Sequence, residues 1–277
     1  MIQGYFDGSG THEGSKVLTI AGFIGEEEAF VDLDQQWEKV LDDPRWPTRL
    51  PEFHTVECVH GGGEFQQGGW NYAERLTLYG DLTRVIVEVG ERHALLPIGA
   101  GVVTGIFNKI AKADLDLLTG EGLGTPFDLT FQLLLQQIIH RTNEHWPGES
   151  LCLLYDEGNR PEAERFRALC NEYAGRFYLG DVLHSCGQAD SRDFTPLQAA
   201  DLFAFGTMHL AQTNHFPSEL EPYFPTIPAF WNMVSNIQAD GGVYDLEVLN
   251  KLLPKVRAKD RMPTKQELYG RQAKNTP

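Results

Sequence analysis

The run Pro196-Leu197-Gln198-Ala199-Ala200-Asp201-Leu202-Phe203-Ala204-Phe205 sets a carboxylate in the middle of an apolar helical stretch. Such a group is costly unless something offsets its charge. Two more acids close apolar runs that read as strands. Asp7 does so in Gly4-Tyr5-Phe6-Asp7-Gly8-Ser9-Gly10, and Asp156 in Leu151-Cys152-Leu153-Leu154-Tyr155-Asp156-Glu157-Gly158. A carboxylate at the mouth of a strand, just before glycine, is easily solvated and well placed for chemistry. The chain must therefore bring two strand ends and one helix to a shared place. A divalent metal held by all three acids would account for every placement at once.

The order of elements follows from hydrophobic period and turn residues. Strands are expected at about 2–7 and 16–24, joined by a Gly/Ser-rich hairpin connection at 8–15. Helical spacing of Phe30, Leu33, Trp37, Val40 and Leu41, behind Glu26, Glu27 and Glu28, predicts a helix over 26–41. Residues 42–71, with five glycines and three prolines, read as irregular surface, with Phe53-His54 as a short ordered piece. A helix at 72–89, a strand at 95–103, a helical insertion at 106–124 and a long helix at 126–145 follow. Then come a strand at 151–155, a helix at 162–174, a strand at 177–184 and a helix at 195–210 opened by Pro196. Pro97 puts one ladder donor of the third strand in doubt. Two hairpin strands, a third strand, then strands separated by helices imply a mixed sheet with helices on both faces. We expect one α/β domain over 1–212, with insertions at about 26–92 and 106–124, and a C-terminal extension over 213–277.

Charge limits the partners. The net charge is −16, which argues against general affinity for nucleic acid. Residues 251–277 carry eight bases and two acids, a segment of +6, which leaves −22 for residues 1–250. A basic tail on an acidic body can contact nucleic acid, a protein partner or the body itself, or serve only as a solvated terminus. No apolar run approaches the ~20 residues of a membrane span. The N-terminus runs straight into a strand pattern, with no signal peptide. Cys58, Cys152, Cys170 and Cys186 show no C-x-x-C pairing, and three of them lie in apolar or helical contexts and read as reduced core residues, so a cytoplasmic location is expected.

The segment Tyr5-Phe6-Asp7-Gly8-Ser9-Gly10 resembles the Y-F-D-E-S-G signature of a large microbial family. That family is catalogued as a domain of unknown function, number thirty-eight hundred, within the ribonuclease-H-like superfamily. The resemblance continues in Ala21-Gly22-Phe23, Phe53-His54, Tyr155-Asp156-Glu157 and Pro196-Leu197-Gln198-Ala199-Ala200-Asp201-Leu202, spanning roughly residues 4–205. It implies a ribonuclease-H-like fold, with Asp7, Asp156 and Asp201 as the carboxylates that bind two divalent ions, Mg²⁺ or Mn²⁺. Glu157 would be a neighbouring or alternate ligand. The chain departs from the signature at Gly8, where the family has Glu. A fourth carboxylate is not singled out: Asp128, Glu52, Glu57 and Asp193 all qualify.

Other readings stand beside these. Asp7 before Gly-Ser-Gly suits a turn, and Asp156 through Asn159 suits a loop and helix cap. A purely structural Asp201 would need a buried partner such as Arg or His. His54 fits a general base, a metal ligand or a satisfied loop residue. Gly61-Gly62-Gly63 lacks the Lys-Ser/Thr of a phosphate loop, and no serine nucleophile elbow is present. A phosphatase with Asp7 as nucleophile is disfavoured, because Ser9 stands where a second acid is expected. Two function classes remain. One is a metal-dependent phosphodiesterase or nuclease, reaching nucleic acid alone or through a protein partner. The other is a catalytically weak ribonuclease-H-like binding subunit of a larger microbial complex, such as a mobile-element or defence system.

Overall fold

Strand β1 (Ile2–Ser9) turns back into β2 (Val17–Gly25) across a tight connection. Gly10 makes that turn with φ +72°, and a Cβ there would stand 2.0 Å from the Val17 carbonyl oxygen. Only glycine fits both demands. The protein is described here from a computed structural model, over residues 1–12, 14–107, 125–158, 160–176, 182–215, 228–239 and 243–244.

The described elements continue with α1 (Glu27–Leu41), α2 (Thr55–His60), α3 (Gly63–Gln67), α4 (Tyr72–Arg92), β3 (Leu96–Val103) and α5 (Thr104–Phe107). They end with α6 (Pro126–His145), β4 (Leu151–Asp156), α7 (Arg160–Arg176), β5 (Leu183–Ala189), α8 (Thr195–His215), α9 (Pro228–Ala239) and β6 (Val243–Tyr244). Capping boxes open α4 (Asn71 with Glu74) and α6 (Thr125 with Asp128), and Pro126 follows the second cap.

The sheet order is β5-β4-β1-β2-β3-β6. β2 runs antiparallel to β1 and β3, while β4 is parallel to β1 and β5 is parallel to β4. That order, with one reversed strand in the second position of the chain, is the expected ribonuclease-H-like mixed sheet. Helices cover both faces. On one, Tyr5, Ala21 and Phe23 pack with Trp37 of α1, Tyr79 and Leu82 of α4, and Leu202 and Phe203 of α8. On the other, Phe6, Ile20, Leu153 and Tyr155 pack with Phe131 and Leu134 of α6 and Phe166 of α7. Because side chains alternate along a strand, Asp7 shares the α8 face with Tyr5, and Asp156 shares it with Leu154. Among the described residues no helix is long and apolar enough to cross a membrane.

The structure differs from the sequence expectations in three places. Residues 42–71 contain two short helices, α2 and α3, whose apolar anchors Cys58 and Phe65 are too few for a periodic signal. The fifth strand runs over Leu183–Ala189, past the expected end at 184, and residues 177–181 of the expected strand at 177–184 lie outside the described residues. As the outer neighbour of β4, β5 leaves His184 and Ser185 exposed, so it needs little apolar sequence. Cys170 and Cys186 are joined as a disulfide across α7 and β5, while Cys58 and Cys152 are free. The bonded pair is 16 residues apart, with no motif spacing to reveal it. The cysteines therefore no longer argue for a reducing compartment. The expected insertion at 106–124 and the basic tail at 251–277 lie almost wholly outside the described residues.

One buried side chain ties the functional face together. Gln198, 3% exposed on α8, accepts from Trp37 Nε1–H and from the Phe53 backbone N–H, each at 3.0 Å. Its Nε2 donates to the Ser191 carbonyl at 2.9 Å. Gln198→Met would leave two donors and one acceptor buried and unmatched, at about 1–3 kcal/mol each. We expect a loss of roughly 3 kcal/mol or more in urea unfolding, with an unchanged slope; a loss under about 1 kcal/mol would show that these groups find other partners.

Candidate functional site

The last paired residues of β1 and β4 are Phe6 and Tyr155. One step further stand Asp7 and Asp156, on neighbouring parallel strands and both turned toward α8. Helix α8 packs over β1 and β2, and the Thr19 hydroxyl of β2 donates to the Ala204 carbonyl at 3.2 Å. That anchor sets Asp201, one turn earlier on α8, above the strand ends. The three acids predicted from the sequence thus converge, as their electrostatics record.

Burial raises the Asp7 carboxyl well above its ordinary range, and the charges of Asp201, Asp156 and, least, Glu162 raise it further; only the Gly8 N–H, 2.7 Å from Oδ1, opposes them. Asp201 is likewise raised, by burial first and with Asp156 contributing, against the opposing Thr55 N–H and His54. Asp156 is raised by burial and by Glu52, against the Gly158 N–H, Ser191 and His54. Asp156 Oδ2 accepts from Gly158 N–H at 3.0 Å, while its Oδ1 is buried with no hydrogen-bond partner.

Asp201 Oδ2 accepts the Thr55 N–H at 2.8 Å, at the start of α2. No side-chain cap comes from His54 itself, so a carboxylate from another helix satisfies that donor. The Arg or His partner required of a structural Asp201 is met only in part, by this N–H and by the nearby His54. His54 is half-exposed at its side chain (46%) and lies 3.0 Å from Glu52 Oε2. The hydrogen bond to Glu52 and the surrounding acids lift His54 to about 9, against burial. It is therefore a cation at neutral pH in the metal-free protein. Burial pushes Glu52 up, but hydrogen bonds from His54 and Ser191 more than offset this and hold it below the usual carboxylate range.

The remaining sequence candidates are placed as follows. Glu157 is exposed on the turn after β4, its N–H bonded to the Ala189 carbonyl at 3.0 Å. Asp128, 1% exposed, caps α6 and pairs with Arg165 Nε at 2.6 Å. Glu57 faces the N–H of Glu64 at 3.4 Å, and Asp193 is exposed. Of the four acids considered for a fourth carboxylate, Glu52 borders the trio. Two contributors escaped the sequence reading. Glu162, in the first turn of α7, is half-buried beside Tyr155, and burial raises its carboxyl. Ser191, 9% exposed, donates to Glu52. An acid in a helix first turn is an ordinary dipole-favouring placement, so neither spacing nor composition marked Glu162.

Hard oxygen donors, mutual repulsion and an orphaned Asp156 Oδ1 fit a divalent cation. Among the described residues, however, no three His, Cys, Asp or Glu side chains already stand as a ligand set around one point. The carboxylates are gathered but not closed on a centre.

No family model matches the chain, and no curated protein matches it in sequence. Among solved structures, it is similar to a chain of the PCNA:RNase HII complex from Archaeoglobus fulgidus, at 10% identity and a TM-score of 0.36, covering 88% of this chain and 92% of that one. The strand order and directions, rather than this likeness, identify the fold.

Two pH effects follow. Asp7 has a higher pKa folded than unfolded, so the native state holds the extra proton, and metal-free stability falls as pH rises above the ordinary carboxylate range. In chelator, Asp7→Asn should raise the Tm at pH 7–8 by several degrees, at about 2–4 °C per kcal/mol, and the gain should vanish near pH 3 in thermal scans. His54 also has the higher pKa when folded, so its contribution is present below its ordinary value of 6.5 and lost as pH rises through about 9. Its ring NMR signals should titrate well above 6.5 and fall back toward it in Glu52→Gln.

Proposed function

We propose that this protein is a metal-dependent phosphodiesterase, a nuclease that uses Asp7, Asp156 and Asp201 to hold Mg²⁺ or Mn²⁺. The observation that carries this reading is the convergence of three carboxylates whose pKa values rise together, with Asp156 Oδ1 buried and unpartnered. Such a gathering costs stability in a metal-free fold and is repaid by a bound cation. When bound, the metal would polarise the scissile phosphate and supply hydroxide at neutral pH.

The chain's own groups do the rest. Asp201 fixes the start of α2 through the Thr55 N–H and so positions His54 at the rim. His54, protonated and half-exposed, is a donor for a phosphate oxygen or a leaving oxygen rather than a base. Glu52 keeps that proton in place and is itself held by Ser191. Glu157, exposed, serves at most as an alternate ligand from the rim.

A second reading is a binding subunit that reaches nucleic acid through a protein partner. The net charge of −16 and the open carboxylate arrangement among the described residues favour it. Cleavage of labelled single- and double-stranded DNA and RNA with Mn²⁺ separates the two. Under the first reading wild type cleaves, and Asp201→Asn falls by about a hundredfold or more. Equal activity in both would remove Asp201 from the mechanism. Metal binding without cleavage in either would favour the binding subunit.

A further inference from the structure

Thr55, the first residue of α2, is wholly buried and meets Asp201 with two polar groups. Its N–H donates to Asp201 Oδ2 at 2.8 Å. Its hydroxyl stands at the same carboxylate: burial raises Asp201, and the Thr55 N–H and hydroxyl both act against that rise. The hydroxyl is near enough to be felt, yet Oγ1 is buried and closes no hydrogen bond among the described residues. A buried hydroxyl left unmatched costs stability, and valine would fill the same space without that cost. Valine would also keep the branched side chain and the N–H that Asp201 uses. Packing alone therefore does not account for a threonine at this position. The site is also unfinished: its carboxylates are gathered but not closed on one point among the described residues. The idle hydroxyl stands beside the one acid of the trio that is carried on a helix.

We propose that Thr55 is a positioning residue of the acidic site, whose hydroxyl is a reserve donor for Asp201 Oδ2 when that carboxylate turns to a bound cation. This rests on the metal-site reading above. With the N–H already on Oδ2, the hydroxyl makes that oxygen doubly held, and Oδ1 is the oxygen left to offer. A hydroxyl suits the task because it turns about its own C–O bond and needs no backbone movement. Hydrogen bonds to an ionised acceptor are roughly twice as strong as neutral ones, so the contact is worth most once the site is filled. In this role Thr55 touches neither cation nor substrate and acts only through Asp201. A purely structural Thr55 would contribute through its methyl group and its N–H, and the hydroxyl would be idle in both states.

The test reads two quantities on the full-length chain: the Tm in chelator, and Mn²⁺ binding by calorimetry. Thr55→Val removes the hydroxyl and keeps the shape and the N–H. Its Tm in chelator should be at least as high as that of wild type, because an unmatched buried group is gone, while Mn²⁺ should bind about tenfold or more weakly. Thr55→Ser restores the hydroxyl without the methyl group and should bind Mn²⁺ close to wild type. Asp201→Asn is the control for the site itself. If Thr55→Val binds Mn²⁺ like wild type while Asp201→Asn does not, the hydroxyl is idle: the role of Thr55 is overturned and the metal site stands. If Thr55→Val lowers the Tm in chelator by several degrees, the hydroxyl is a structural donor and the proposal fails. If Thr55→Ser binds as weakly as Thr55→Val, the methyl group matters instead of the hydroxyl, and the proposal fails again. If wild type shows no Mn²⁺ response, the metal-site reading falls and takes this proposal with it.

Discussion

The functional face of this protein hangs on one buried amide. Gln198 joins α1 through Trp37, the 52–55 segment through Phe53 and the loop after β5 through Ser191. None of these three is a sequence neighbour of another, and the last two carry residues of the acidic site. A glutamine is suited to this because it offers a donor and an acceptor at one point. Three hydrogen bonds in a water-free setting make the arrangement specific, since any slip strands a buried polar group. Asp201, three residues later on the same helix, inherits its position from that anchor.

The gathered acids work against the stability of the metal-free fold. Asp7, Asp156 and Asp201 each hold a proton more tightly than an exposed carboxylate, because burial and the charge of neighbouring carboxylates, Glu52 in the case of Asp156, act in the same direction. The protein softens this with backbone N–H groups at Gly8, Gly158 and Thr55, and with the His54–Glu52 pair at the rim. Those devices reduce the repulsion without neutralising it. A site tuned only for stability would have replaced one acid with an apolar or amide side chain.

Much of the fold was legible because its periods are strong. The helix around Trp37, the long helix behind Pro126 and the apolar run closing at Asp156 all appear close to their expected bounds. Elements that pack weakly were not legible. β5 reads as polar because it pairs only with β4, and α2 and α3 each bury too few side chains to show a period. The Cys170–Cys186 bond links α7 to β5, a contact with no local signature.

The sequence by itself determined the element order, the mixed sheet and the three aspartates at two strand ends and one apolar helix. These follow from local period, turn chemistry and the cost of a charge in an apolar run, all of which act over a few residues. The tertiary structure alone decided which further groups join them. Glu52, His54 and Ser191 meet the site because Gln198 pulls two loops together. Such meetings depend on long-range packing, which leaves no pattern along the chain.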